Sequence, residues 1–180
     1  MPYDLGRVPE DNTKKLEVKN YVDVKKQAAK LRHTIPHGLV LLPSSFKSAQ
    51  TTNDLVYAAS TDTVKKLLVQ VGVPAAKLEK DGQEYPHTVQ HALEWIGSVI
   101  LFSAAAVSQN PEIVSITLNV ISNYLTDWFR GVPKENRRAS LTIVKETKDG
   151  DYKSLDYSGP PEYLHGVKEI MGRFDDENQS

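Results

Sequence analysis

Leu16, Val18, Val22 and Val24 fall at even positions among Glu17, Lys19, Tyr21 and Asp23, with Asn20 the one exception. A period of two predicts a strand with one face buried. Lys25 to His33 is rich in helix formers and leads to Pro36, which discourages helix in the residue before it; Gly38 to Leu42 (GLVLL) then reads as a short buried strand stopped by Pro43. From Ser44 to Ser60 the only large apolar anchors are Phe46, Leu55, Val56 and Tyr57, so this polar stretch is expected to be part helix and part exposed loop, long enough to bind something or simply to connect. Val64, Leu67, Leu68 and Val71 follow one helical face, Ser60 or Thr61 can cap its start, and Gly72 can end it.

Lys77 to Pro86 is a charged connector with a turn signal at Asp81 and Gly82, the expected boundary between two lobes. Beyond it, Pro86 suits the first turn of a long helix reaching to about Gln109, with Val89, Leu93, Ile96, Ile100 and Val107 as its apolar stripe. A second helix follows the turn at Asn110 and Pro111, and Val114, Leu118, Ile121, Leu125 and Phe129 form one face of it. Ser115, Asn119, Ser122 and Thr126 form the opposite face. Between Trp95 and Thr126 the only charge is Glu112, although 25% of the chain is charged. Such a segment avoids water. The two helices are expected to pair as an apolar hairpin, and the uncharged polar stripe to be partly covered by the other lobe or by a partner subunit.

After Gly131 and Pro133 the period returns to two. Leu141 and Ile143 alternate with Ser140 and Thr142, Asp149 and Gly150 supply a turn, and Leu155 and Tyr157 alternate again, which predicts a β-hairpin. A short helix carrying Leu164, Val167, Ile170 or Met171, and Phe174 closes the pattern. The expected class is α+β: an N-terminal αβ lobe, a central apolar helical hairpin, and a C-terminal β-hairpin plus short helix. Residues 1–12 are expected to be flexible, 13–174 to form one compact domain with lobes of about 13–82 and 83–174, and 175–180 to be a disordered tail.

Composition narrows the functional classes. The 22 basic residues nearly balance 23 acidic ones, so no global field draws in nucleic acid or an anionic membrane. Cysteine is absent, which removes disulfides, thiolate zinc sites and thiol nucleophiles together. The opening MPYDLGRVPEDNTKK has mixed charge and no apolar run, which argues against a secretory signal and for a cytoplasmic protein. Membrane insertion of the hairpin is an alternative, because Trp95 and Trp128 would stand at one level like an interfacial belt. The largely apolar run from Trp95 to Val107 is short for a span, however, and Asn119 and Asn123 interrupt the second helix.

A long apolar helix ending in YLTDWFRG, a basic connector, the strand ASLTIVKET, a DG turn, the strand YKSLDYSG and a short terminal helix resemble the small accessory domains called effector-associated constant components. The resemblance covers roughly residues 113–174. It implies an adaptor or coupling role beside the effector and enzyme modules of bacterial conflict and signalling systems, and it carries no catalytic residues with it.

Catalytic signatures are sparse. No two glycines lie within five positions of each other, which excludes the dinucleotide fingerprint and the P-loop, and there is no G-x-S-x-G elbow. His87, His91 and Glu94 would share a helical face and could hold a metal; the competing reading is solvated histidines at a helix start. Arg130, Lys134, Arg137 and Arg138, beside Trp128 and Phe129, are a candidate anion patch, although cations at a helix C-terminus also complement its dipole. The favoured function is a non-enzymatic accessory or interaction subunit without a cofactor, an adaptor in a bacterial defence or signalling system that self-associates or binds a protein partner through the uncharged hairpin. A His/carboxylate metal-dependent hydrolase and a membrane-inserting effector are the alternatives; bound metal would mark the first and detergent dependence the second.

Overall fold

A computed structural model describes residues 14–79, 82–90 and 94–173. The expected flexible N-terminus 1–12, the tail 175–180, Asp81, His91, Leu93 and Phe174 lie outside them. The elements are β1 (Lys15–Asn20), α1 (Val24–Lys30), β2 (Leu39–Leu42), α2 (Thr61–Gln70), β3 (Ala75–Lys77), β4 (Trp95–Phe102), α3 (Ala104–Gln109), α4 (Ile113–Trp128), β5 (Ala139–Glu146), β6 (Tyr152–Gly159) and α5 (Val167–Gly172), with 3-10 turns at Thr52–Asp54, Lys134–Asn136 and Pro161–Gly166. The fold is α+β, as expected.

All six strands join one mixed sheet in the order β1-β6-β5-β4-β2-β3. Strands from both sides of the charged connector therefore share a single sheet. Two parallel pairs, β2 with β3 and β4 with β5, are linked by crossovers through α2 and through α3 and α4 respectively. β2 and β4 are antiparallel, and the two crossovers move in opposite directions across the sheet. Crossovers of one hand then place their helices on the same face. That face is the larger core: Leu39, Leu41, Ile100, Phe102, Ile143 and Leu155 from the sheet meet Val64 and Leu68 of α2, Leu118, Ile121 and Leu125 of α4, and Met171 of α5.

The opposite face is covered over only part of its width. Val24 and Ala28 of α1, with Phe46, Leu55, Tyr57 and Leu78 from the connecting segments, cover Val40, Leu42, Val99, Leu101 and Val144. Helix α1 is only seven residues long and depends on its cap: the Asp23 carboxylate accepts from Lys26 N at 3.1 Å. Asp23→Ala is expected to cost about 1 kcal/mol, measured as a fall in Tm of about 2–4 °C.

The expected helical hairpin is corrected. Its first arm is strand β4, which pairs with β2 on one side and β5 on the other. Trp95, Ile100 and Phe102 face the larger core while Val99 and Leu101 face the smaller one. A strand buried on both faces reads as a continuous apolar run, indistinguishable by periodicity from a buried helix. The segment before it is extended: Tyr57 N donates to Pro86 O and Thr88 N donates to Tyr57 O, both at 2.9 Å. Val89, assigned to the apolar stripe, is 83% exposed. The second arm is α4 and the C-terminal β-hairpin is β5–β6, both where the pattern puts them. Strand β3, which the pattern did not predict, ends at Lys77, the first residue of the charged connector.

Between Ile96, opposite Ser140, and Val99, opposite Thr142, the β4–β5 register shifts, and Gly97 and Ser98 form the irregularity. Ser98 Oγ lies 2.6 Å from Thr61 Oγ1 at the start of α2. The Thr61 hydroxyl donates to Ala58 O at 2.7 Å, so its single proton is engaged and Ser98 is the donor. No helix among the described residues is long and apolar enough to cross a membrane, and Trp95, half of the expected aromatic belt, is fully buried within the sheet.

Candidate binding surfaces

Helix α4 carries the expected stripes. Val114, Leu118, Ile121 and Leu125 are buried. On the other side Asn119, Asn123 and Thr126 are exposed, while Ser115, Ile116, Val120 and Ser122 are half-buried beside them. Thr126 Oγ1 donates to Ser122 O at 3.0 Å, the back-bond that hydroxyl side chains make in helices. The Ser115 and Ser122 hydroxyl oxygens are buried and have no hydrogen-bond partner among the described residues. From Ile113 to Thr126 this helix has no charged residue. Helix α2 packs alongside it; its Val69 and the C-cap residue Val71 are 53% and 54% exposed.

The basic cluster does not form a group of uncommitted cations. Arg130 Nη2 donates to Asp127 Oδ1 at 2.7 Å, and Arg137 Nε donates to Val132 O at 2.8 Å with its Nη1 3.8 Å from Glu162. Arg138 reaches the open part of the sheet, where its Nη2 donates to Ser158 Oγ at 2.9 Å and its Nε lies 3.5 Å from Glu94. Lys134 begins the 3-10 turn and is exposed. Around Arg138 the sheet face is polar: Ser140 Oγ donates to Glu94 Oε1 at 2.9 Å, Thr142 Oγ1 donates to Asp156 Oδ1 at 2.7 Å, and Lys19 pairs with Asp156 at 3.0 Å. Two cations meet three carboxylates there, Glu17 lying 3.7 Å from Lys19, and the groups satisfy one another.

The helical face expected to join His87, His91 and Glu94 does not form at the described residues. His87 lies in extended backbone, stacks on Tyr57 with ring centroids 5.7 Å apart, and places its Nε2 3.3 Å from Asp62 Oδ2. Glu94 belongs to the Arg138 and Ser140 group, and His91 lies outside the described residues. Among the described residues no cluster of three His, Asp or Glu could hold a metal. Lys77 Nζ sits 2.7 Å from Asp62 and 3.1 Å from Glu79. Its hydrogen bond holds the Asp62 carboxyl below the usual range. Burial pulls the Lys77 ammonium down, but its bonds to the two carboxylates raise it on balance. Burial likewise raises the Tyr57 phenol, whose oxygen accepts from Leu78 N at 2.8 Å.

A cleft of about 610 Å³ opens between the C-terminus of α1, the segment Gln50–Thr52 and Gln83. Its walls are tied together. Gln27 Nε2 donates to Phe46 O and Ala49 O, each at 2.8 Å, and Lys30 Nζ donates to Gln50 Oε1 at 2.7 Å across the opening. Gln50 N and Thr51 N donate to Asp54 Oδ2 at 2.9 and 3.0 Å, which depresses the Asp54 carboxyl and fixes the turn.

At the mouth stands Arg32, with φ 59°; the other positive φ values among the described residues belong to glycines. Arg32 N donates to Ala29 O and His33 N to Ala28 O, the paired bonds of a Schellman motif that places Arg32 where glycine is usual. A left-handed conformation costs a residue with a Cβ roughly 1–2 kcal/mol. A cation at the end of a short exposed helix recovers about 0.3–1 kcal/mol. The dipole alone does not repay the strain. Behind the cleft, His33 Nε2 and the Tyr85 hydroxyl share a buried hydrogen bond of 2.5 Å.

Sequence reasoning marked the polar segment 44–60 as long enough to bind something, but it did not single out Lys30, Arg32, Gln50 or Gln83. Their meeting depends on a turn conformation and on segments far apart in the chain. No protein-family model matches the chain, and it is similar to no curated protein and to no solved structure.

Proposed function

We propose that this protein is a non-enzymatic accessory subunit of the cytoplasm that binds another protein chain, a second copy or a heterologous partner, through the outer face of α4. The observation that carries this reading is the absence of charge from Ile113 to Thr126 on a helix whose Asn119, Asn123 and Thr126 are exposed. A face meant only for water recruits Lys and Glu. Val69 on the adjoining helix and Val71 just beyond its end are further exposed apolar residues. The resemblance of the C-terminal half to effector-associated constant components supports an adaptor role in a bacterial defence or signalling system.

Sedimentation velocity over a range of concentrations tests the self-associating form. The wild-type chain is expected to show a concentration-dependent dimer, and Asn119→Lys/Asn123→Lys to remain monomeric with unchanged circular dichroism and Tm. Because the chain has no cysteine, Asn119→Cys also supplies a single thiol, and a partner seated on α4 would protect it from alkylation. A wild-type chain that stays monomeric, while the thiol introduced by Asn119→Cys reacts at the rate of a free peptide both alone and in extract of its source cell, would refute the proposal.

A further inference from the structure

We infer that the cleft between α1, Gln50–Thr52 and Gln83 is a binding site for a small phosphorylated polyol, such as a sugar phosphate. Its volume of about 610 Å³ falls within the range that small-molecule sites occupy. Lys30 and Arg32 supply positive charge on one side, and among the described residues no carboxylate lines the cavity. The nearest acid of the turn, Asp54, is engaged by the backbone N–H groups of Gln50 and Thr51. Arg presents a planar fork of donors suited to phosphate oxygens, and Lys adds a point charge. The rest of the polar lining consists of the amides of Gln50 and Gln83 and the hydroxyls of Thr51 and Thr52. These groups both donate and accept, as a polyhydroxylated body requires. Among the described residues no aromatic ring lines this cavity, which disfavours a nucleobase.

Two features show a site held ready before a ligand arrives. The Gln27 hydrogen bonds fix the loop against α1 and the Asp54 bonds fix its turn, so little ordering remains for binding to accomplish. Arg32 keeps a strained backbone in which glycine would be more stable, and strain of this kind is retained where a side chain has a task. The site is separate from the α4 face, so either proposal can fail without the other.

The test is titration of the full chain with glucose 6-phosphate, glucose and inorganic phosphate, followed by amide NMR and calorimetry. Glucose 6-phosphate is expected to shift the amides of residues 30–33, 50–54 and 83, with affinity that falls as salt is added. Glucose should shift none. Arg32→Gly is expected to raise Tm by about 2–4 °C while weakening glucose 6-phosphate about tenfold or more, the effect of losing a charge-assisted hydrogen bond. A more stable variant that binds less well has no explanation in a purely structural role for Arg32. Lys30→Met, which leaves the Schellman turn intact, should weaken binding as well. Absence of shifts in those amides, or Arg32→Gly and Lys30→Met binding as the wild type does, would overturn the site. Inorganic phosphate binding as tightly as glucose 6-phosphate would overturn the polyol assignment.

Discussion

Replacing Gly97 by alanine is expected to destabilise the protein by about 1–3 kcal/mol, the usual penalty for forcing atoms into a packed core. A Cβ at this position would stand 2.5 and 2.6 Å from ring atoms of Trp95 and 2.8 Å from Leu141 Cδ1. The Trp95 ring is rigid and wholly buried and Leu141 is nearly so, so neither can swing into solvent to make room. The sign of the effect is the informative part. Were the segment helical, as its uncharged run suggests, the same substitution would remove a helix-interior glycine and stabilise the chain by roughly 0.5–1 kcal/mol. Urea denaturation of wild type and Gly97→Ala therefore distinguishes strand from helix at this position, and a gain in stability would contradict β4.

Trp95→Ala should have the largest effect of any substitution considered, about 3–5 kcal/mol by analogy with other buried aromatic truncations. The indole lies at the start of β4, opposite Ala139, and meets Tyr124 of α4 edge to face with ring centroids 6.2 Å apart. It therefore couples the sheet to the helix that carries the proposed interaction face. Its Nε1 is buried and has no hydrogen-bond partner among the described residues. A buried donor without an acceptor costs about 1–3 kcal/mol. Trp95→Phe removes that donor together with part of the ring, so its cost should be less than half that of Trp95→Ala. Equal costs for the two substitutions, measured by chemical denaturation, would contradict the ring packing described for Trp95, because both remove the indole N–H and only Trp95→Phe keeps most of the ring.

The sequence was legible where one face of an element is wet. Helix α2, helix α4 and the β5–β6 hairpin each alternate buried and exposed positions, and that contrast is what a periodic pattern records. It failed where the contrast disappears. In β4 every residue but Ile96 is buried, so the length of the run and its Val, Ile, Trp and Phe content were better guides than its period. The small residues Ser103 to Ala106 read as the continuation of one helix. Instead Ser103 begins a new one, accepting from Ala106 N at 3.1 Å.

The candidate sites divide in the same way. Ser115, Asn119, Ser122 and Thr126 could be placed together because helical spacing is a local property, and α4 is a helix. His87 and Glu94 could not be, because their expected neighbourhood required a helix that does not form; each instead pairs with groups from other elements, Asp62 in one case and Arg138 and Ser140 in the other. The cleft needed still more of the fold, since Lys30, Gln50 and Gln83 are brought together only by long-range packing.

By itself, then, the chain determined its α+β class, the positions of α2, α4 and the C-terminal hairpin, and the uncharged character of one helix face, because propensity, capping and amphipathic period act within a few residues. Tertiary structure decided that the most apolar segment is a strand, that residues on both sides of the charged connector build one sheet, and that Arg32 stands strained at the mouth of a cleft. Those outcomes depend on hydrogen bonds and burial between segments distant in sequence, and a one-dimensional pattern does not contain the identity of the partner that each residue will meet.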